Sequence, residues 1–588
     1  MRNKGRLQVA VGAGLVLVAA CSSGRSTSTS TIGTSPSSST AASAPAGGTV
    51  SVRLSNPFSS YNNGTAEDNA VWNQEVLNAV QPTVAKFDDH ANVVIDEHLV
   101  EVTKTTDQPM VVEYAFNPEA AWSDGQPIGC DDMYLAWVAN NGVLVASDGS
   151  GVSSFRTAST TGWDQISSVA CSPDGKEVTF TYATPFSDWK ALVGALLPAH
   201  VVAAHAGLVS GAGIRTAYEG HDEATLQKVA DFWNTGFKTD NGVDPAIHLS
   251  GGPYRIDSYE LEQSVTLVRN DKYWGPPPPL DTIVFRVITD GTAQVQALAN
   301  REVQVIQIGG AQPDAVAQLK GLSGVTVDLI GGLAFEHFDF NFQSPLLCDE
   351  AVRHAVAECI PRQEIVDKLI KPTDDQAVVL QNRMFVPTQA GYTDTSGGRY
   401  DIVDIPGAKS GLEADGWTLD GGVYAKDGQR LEFKLLHSPS RSAEAQLIEA
   451  SCAQAGISIV DDSDANWGDR LGAGQFDAVV FTWVNAPLFS LQKPVYQTPP
   501  SPQDLRSNYG DYSNPQVDEL MNTLTTETDP AKLIDAANRA DSLLWDDLAT
   551  IPLWQVPLVT AYSNDVTGVK PNPTYQGLTW NIETWSLR

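Results

Sequence analysis

From residue 49 onward, apolar and polar positions alternate with period two in several short runs. TVSVRLSN (49–56), MVVEYAFN (110–117) and GPYRIDSYELEQSVTLVRN (252–270) read as strands. CSPDGKEVTFTY (171–182) reads as a hairpin turned at Pro-Asp-Gly. After the proline run 276–279, strand patterns at 281–289 and 303–308 flank a helical one, and EHFDFNF (336–342) is again strand-like. Helical spacing is seen at 69–80. It returns after Cys348, where Val352, Ala355, Val356 and Cys359 form one apolar face behind Asp349 as N-cap, with Pro361 disturbing its end. Val517, Leu520, Met521 and Leu524 repeat the pattern, as do Leu533, Ala537, Ala540 and Leu544. Strands and helices intermixed over this length predict α/β lobes. The chain has 588 residues, too many for one compact core.

The leader carries different information. Arg2, Lys4 and Arg6 precede an apolar stretch, residues 9–20, too short to cross a bilayer core of roughly 30 Å. It ends Val18-Ala19-Ala20-Cys21, similar to a bacterial lipobox, so residues 1–20 read as a lipoprotein signal and Cys21 as the lipidated residue. Residues 21–48, almost entirely Ser, Thr, Ala, Gly and Pro, read as a flexible tether. Residues 191–209 are apolar, but Pro198, His200 and His205 interrupt them. A buried helix, a turn and a second helix are expected there rather than a membrane span.

Charge and motifs narrow the function by exclusion. Acidic residues outnumber basic ones 70 to 37, which argues against nucleic acid as a partner and against direct contact with anionic membranes by the folded part. GxSxG, Walker, HExxH and CxxC patterns are missing from the sequence, and the nine histidines are scattered. No enzyme, metal or cofactor is expected. Of the six cysteines, five remain once Cys21 is set aside, so at least one thiol stays unpaired within a single chain.

Several segments, in order, resemble the family 5 solute-binding proteins of ABC transporters, the dipeptide- and oligopeptide-binding lipoproteins. They are AWSDGQPIGCDDMYLAW (121–137), GGPYRIDSY with LVRNDKYWGPPPPLDTIVFRVI (251–288), FDFNFQSPLLCDEAVRHAVAECIPRQEIV (338–366), NYGDYSNPQVDEL (508–520) and IPLW (551–554). Pro361 departs from the family's usual Asp, and Cys359 from its usual small residue. The resemblance implies a two-lobed, class II periplasmic-binding-protein-like fold. Lobe I would be 49–343 with 557–588, carrying an inserted small subdomain at about 73–187, and lobe II 344–556. It implies a lipid-anchored monomer at the outer face of the cytoplasmic membrane. There it would capture a peptide or other small solute between its lobes and present it to ABC permease subunits. A lipoprotein that binds a glycolipid or envelope precursor is the alternative. Cys130 and Cys171, both in the small subdomain, are expected to bridge. Cys348 and Cys359 are not, being roughly 16 Å apart on a helix at ~1.5 Å per residue, beyond the ~7 Å limit for a bridge.

FDAVVFTWVNAPLFS (476–490) resembles the family strand that ends in a tryptophan followed by an acid, the anchor for a peptide's α-ammonium. Here Trp483 is followed by Asn485, and an amide cannot neutralise a cation. A bound solute is therefore expected not to depend on an ammonium held at 485, although Glu336 or Asp339 could supply an acid elsewhere. The expected cleft residues are Asn56 and Phe58 at the first-strand exit, Phe335, Glu336 and His337 at the crossover, and Phe481, Trp483, Val484 and Asn485.

Cys21→Ala should move the protein from the membrane to the soluble fraction or leave it unprocessed. Wild-type fractionation and migration of the variant would sink the lipobox reading.

Overall fold

A computed structural model of the protein describes residues 47–145, 153–310, 312–485, 487–501 and 505–588. Cys21, the leader and nearly all of the tether lie outside them.

The expected α/β architecture is organised on one ten-stranded sheet. Its spatial order is Ser458–Ser463, Glu432–His437, Ala478–Val484, Val325–Phe340, Thr550–Ser563, Val305–Gly309, Thr49–Leu54, Thr282–Val287, Ser264–Arg269 and Tyr254–Glu260. The two central strands are the longest, at 16 and 14 residues. They pair antiparallel from Val325–Ser563 to Asp339–Thr550, with register breaks between Gly331 and Phe335 and between Glu336 and His337. Both strands pass through both lobes. Bulges bend a strand and re-aim its side chains, and these two fall where the strand enters lobe II.

Core membership changes along the same strand. Val325, Val327 and Leu329 pack with the helices Gly291–Ala299 and Pro313–Lys320, whereas Ile330, Ala334, Phe338 and Phe340 belong to the lobe II core. The packing thus changes from one core to the other along this strand. The C-terminal residues Leu578, Ile582 and Trp585 return to the lobe I core.

A separate four-stranded antiparallel sheet lies in the order Val100–Asp107, Met110–Phe116, Glu177–Tyr182, Ile166–Cys171. The 171–182 hairpin forms as the turn residues predict. Cys130 begins the helix Cys130–Asn140, donates its backbone N–H to Gly175 O at 2.8 Å and is disulfide-bonded to Cys171, with Cα atoms 5.9 Å apart. A second bridge joins Cys359 to Cys452 at a Cα separation of 4.9 Å, tying the helix Glu350–Cys359 to Ser442–Gln454. Cys348 is free and exposed. Asp349 caps Glu350–Cys359 as expected, accepting from Ala351 N.

The segment 191–209 differs from its expected two helices, since only Ala199–His205 is helical. Before it, Val84 N and Ala85 N donate to Gly194 O and Val193 O, and Leu196 N donates to Pro82 O. Strand-like pairing with 82–85 takes the backbone groups a first helix would use. Among the described residues no helix is long and apolar enough to cross a membrane.

Peptide mapping without reduction should recover 130–171 and 359–452 as linked peptides and Cys348 as alkylated. Cys452→Ala opens a loop of 93 residues and should cost about 4 kcal/mol of stability. A linked 348–359 peptide would overturn this framework.

Candidate functional site

Strand alternation decides which crossover side chains face the cleft. Ala478–Val484 pairs with the crossing strand so that Phe335 lies opposite Trp483, Glu336 opposite Thr482 and His337 opposite Phe481. Side chains two apart share a face. Phe335, His337 and Asp339 thus lie with Phe481 and Trp483 on one face, and Glu336, Phe338 and Thr482 lie on the other.

On that other face Glu336 is spent on the protein. It is 1% exposed, accepts from Arg441 Nε and Nη2, and accepts from the Thr482 hydroxyl. Glu444, also buried, accepts from Trp554 Nε1 at 2.9 Å. Burial and the nearby Glu336 charge push its carboxyl up to about 8, against the Trp554 N–H and the Arg441 charge. One guanidinium thus serves two buried carboxyls, and Glu444 keeps its proton at neutral pH.

On the cleft face a cavity of about 720 Å³ lies between the lobes. Lobe I lines it with Asn62, Gln74, Gln81 and Asn140, and lobe II with Asn485 and Gln492; Trp233 and Trp483 add aromatic surface. The amides are anchored by their own hydrogen bonds. Asn62 Nδ2 donates to Trp233 O at 2.8 Å, Gln81 Nε2 to Tyr61 O at 2.7 Å and Asn140 Nδ2 to Ala136 O at 2.7 Å. Each carboxamide has two donor and two acceptor positions, and these bonds leave some unspent. Asn485 is the most occupied. Its Nδ2 donates to Arg383 O and Met384 O at 3.0 and 3.1 Å, and its Oδ1 accepts from Gln492.

The charged side chains among the described lining residues are Asp132 and Arg506. Asp132 accepts from Ala199 N, Gly129 N and Trp122 Nε1, capping the helix that Cys130 begins. Burial pushes its carboxyl up to about 7 in spite of these donors.

The sequence-predicted residues divide accordingly. Trp483, Val484 and Asn485 line the cavity, while His337, Phe481 and Trp483 line a small chamber beside it. Phe335 is 1% exposed and lines neither space. Glu336 points to the opposite face because of its place in the alternation. Phe58 is a core residue, edge-on to Tyr259, and Asn56 does not reach the wall. The first-strand exit does reach the cleft, but through Asn62 and Asn63 further along. Burying Phe58 leaves the wall to these amides. The turn signal in Tyr61-Asn62-Asn63-Gly64 could have located them. The lobe I amides on helices, Gln74 and Asn140, gave no such signal.

Direct hydrogen bonds also join the lobes. Asp188 of lobe I accepts from Phe489 N at 3.3 Å and Ser490 N at 2.8 Å, at the start of a single helical turn in lobe II. Ser187 N donates to Thr525 O at 2.9 Å. Burial holds the Asp188 carboxyl above its usual range.

A fold of two lobes joined through shared strands, with a polar cavity between them, defines a solute-binding protein. The profile for bacterial extracellular solute-binding proteins, family 5 (Middle), matches residues 95–497, and the chain belongs to that family. It is 30% identical over 471 residues to the oligopeptide-binding protein OppA of Mycobacterium tuberculosis, covering 78% of this chain and 71% of that one. It is 25% identical to an uncharacterized lipoprotein of Mycobacterium bovis, covering 84% and 85%. Among solved structures, the periplasmic EDTA-binding protein EppA superposes with a TM-score of 0.81 at 26% identity, covering 93% of this chain and 97% of that one.

Two outcomes test this geometry. Glu444 holds its proton to about pH 8 when folded but only to about 4.3 when unfolded. The folded chain therefore binds more protons between these values, and this contribution to stability is lost as pH rises through that window. The melting temperature of Glu444→Gln relative to wild type should climb between pH 5 and pH 8.5; a constant difference would refute the buried-acid assignment. Asp188→Ala removes two hydrogen bonds between the lobes, worth ~0.5–1.5 kcal/mol each. Amide exchange at Phe489 and Ser490 should accelerate at least tenfold, and unchanged exchange would show that Asp188 does not hold the lobes.

Proposed function

We propose that the protein is the lipid-anchored, extracytoplasmic receptor of an ABC importer and captures a short peptide or peptide-like solute in the interlobe cavity. The observation that carries this reading is the cavity itself. Its volume suits a ligand of a few residues, both lobes contribute to its wall, and its polar lining is mainly carboxamide. Carboxamides match the alternating N–H and C=O groups of a peptide backbone, and Trp233 and Trp483 offer apolar surface to side chains. The OppA relative supports the same class. A solute touching both walls stabilises the closed arrangement by its differential affinity for it, and the permease would read that arrangement.

A second reading rests on the same wall. Amides and tryptophans also suit hydroxyl-rich ligands, and Asn485 offers no counter-charge to an ammonium. A probable monoacyl phosphatidylinositol tetramannoside-binding protein, LpqW of M. tuberculosis, is 27% identical over 323 residues, covering 55% of this chain and 44% of that one. The 720 Å³ cavity is small for a tetramannoside with an acyl chain, so the peptide reading is preferred.

Native mass spectrometry of the full chain as purified should show an adduct of peptide mass; a glycolipid mass would favour the second reading. Calorimetry with that peptide and its N-acetylated form should differ by less than about tenfold, or ~1.4 kcal/mol. Trp483→Ala should weaken binding and diminish the fluorescence change. Undiminished affinity in that variant would move the site elsewhere.

A further inference from the structure

Beside the main cavity lies a chamber of about 20 Å³, room for one water-sized group. Trp483, Val495, Ser507 and Tyr509 wall both spaces. Gly510 closes one side, where any side chain would overlap the carbonyl of Phe340. His337 and Asp339 stand at the chamber's back, 4% and 7% exposed.

The imidazole is fixed in place. Its ring centroid is 4.2 Å from that of Phe481 and 5.3 Å from that of Phe335. Nδ1 lies 2.5 Å from Asp339 Oδ1. A carboxylate oxygen accepts, so Nδ1 carries the hydrogen, and in that tautomer Nε2 is the ring's acceptor. Nε2 is fully buried and has no hydrogen-bond partner. A buried orphan acceptor costs roughly as much as a lost hydrogen bond, and His337 lines the chamber, which suggests where the missing partner sits. Asp339 is then a positioning residue that sets the tautomer.

We propose that this chamber is a specificity subsite of the cleft, in which His337 Nε2 accepts a hydrogen bond from one hydroxyl or N–H of the captured solute. The chamber's size limits the entering group to a single heavy atom. A hydroxyl fits, and so does an amide N–H at a chain bend, while a methyl group would leave Nε2 unpaired. The subsite deepens the solute-binding reading and rests on it. It explains why the crossing strand places a polar His–Asp pair in an otherwise aromatic corner formed by Phe335, Phe481 and Trp483.

Two measurements on the full chain test it. Long-range proton–nitrogen NMR of labelled histidine should show His337 with hydrogen on Nδ1 and none on Nε2 at pH 7; a protonated Nε2 overturns the proposal. The second uses tetraalanine and its four single-serine variants as probes, titrated calorimetrically. One serine position should bind about fivefold tighter than alanine in the wild type, the worth of one hydrogen bond. That preference should vanish in His337→Phe and change in Asp339→Asn. A serine preference that survives His337→Phe, or no serine preference at any position, would mean that the chamber holds only a trapped water. If none of the tetrapeptides binds, the peptide reading fails, and the tautomer still decides the subsite.

Discussion

Two antiparallel strands, Val325–Phe340 and Thr550–Ser563, carry the lobes on one hydrogen-bonded ladder. A backbone ladder cannot be cut without leaving buried N–H and C=O groups unpaired, so the lobes move only as far as these strands bend. The bulges at Gly331/Phe335 and Glu336/His337 are where bending costs least. The cleft is built over them, and every side chain at its base inherits its direction from the register they set.

That register separates two kinds of buried chemistry. On one face, Glu336 takes the charge of Arg441, and burial beside that pair keeps Glu444 protonated. A buried carboxylate without a cation is costly, so this face is committed to holding strands and helix together. On the other face the polar groups are mainly amides, which can be partly satisfied by the protein and still offer a donor or acceptor to a solute. An amide wall costs little to desolvate compared with a charged one. This suits the cavity role proposed above.

Much of the fold was legible in the chain. Period-two alternation placed the strands at 49–54, 254–269 and 478–484, and apolar helical spacing placed the helices at 350–359, 515–526 and 530–546, because burial of one face leaves a direct trace in sequence. The cleft strand that ends at Trp483 carried information of the same local kind. Trp483 and Asn485 reached the cavity wall because they follow a strand to its end.

What the sequence determined by itself is therefore the set of elements, the family and the strand that delivers the tryptophan. Tertiary structure decided the rest. Phe58 went to the core while Asn62, beyond it, went to the wall, since packing ranks neighbours by contacts that arrive from distant segments. Asn485 was drawn into a clasp with Arg383, Met384 and Gln492. Glu336 and His337 are adjacent in the chain, yet one ends beneath Arg441 and the other beside Trp483. Alternation alone predicts that they part. Which of the two faces the cleft depends on where the second lobe packs, and that is a property of the whole fold.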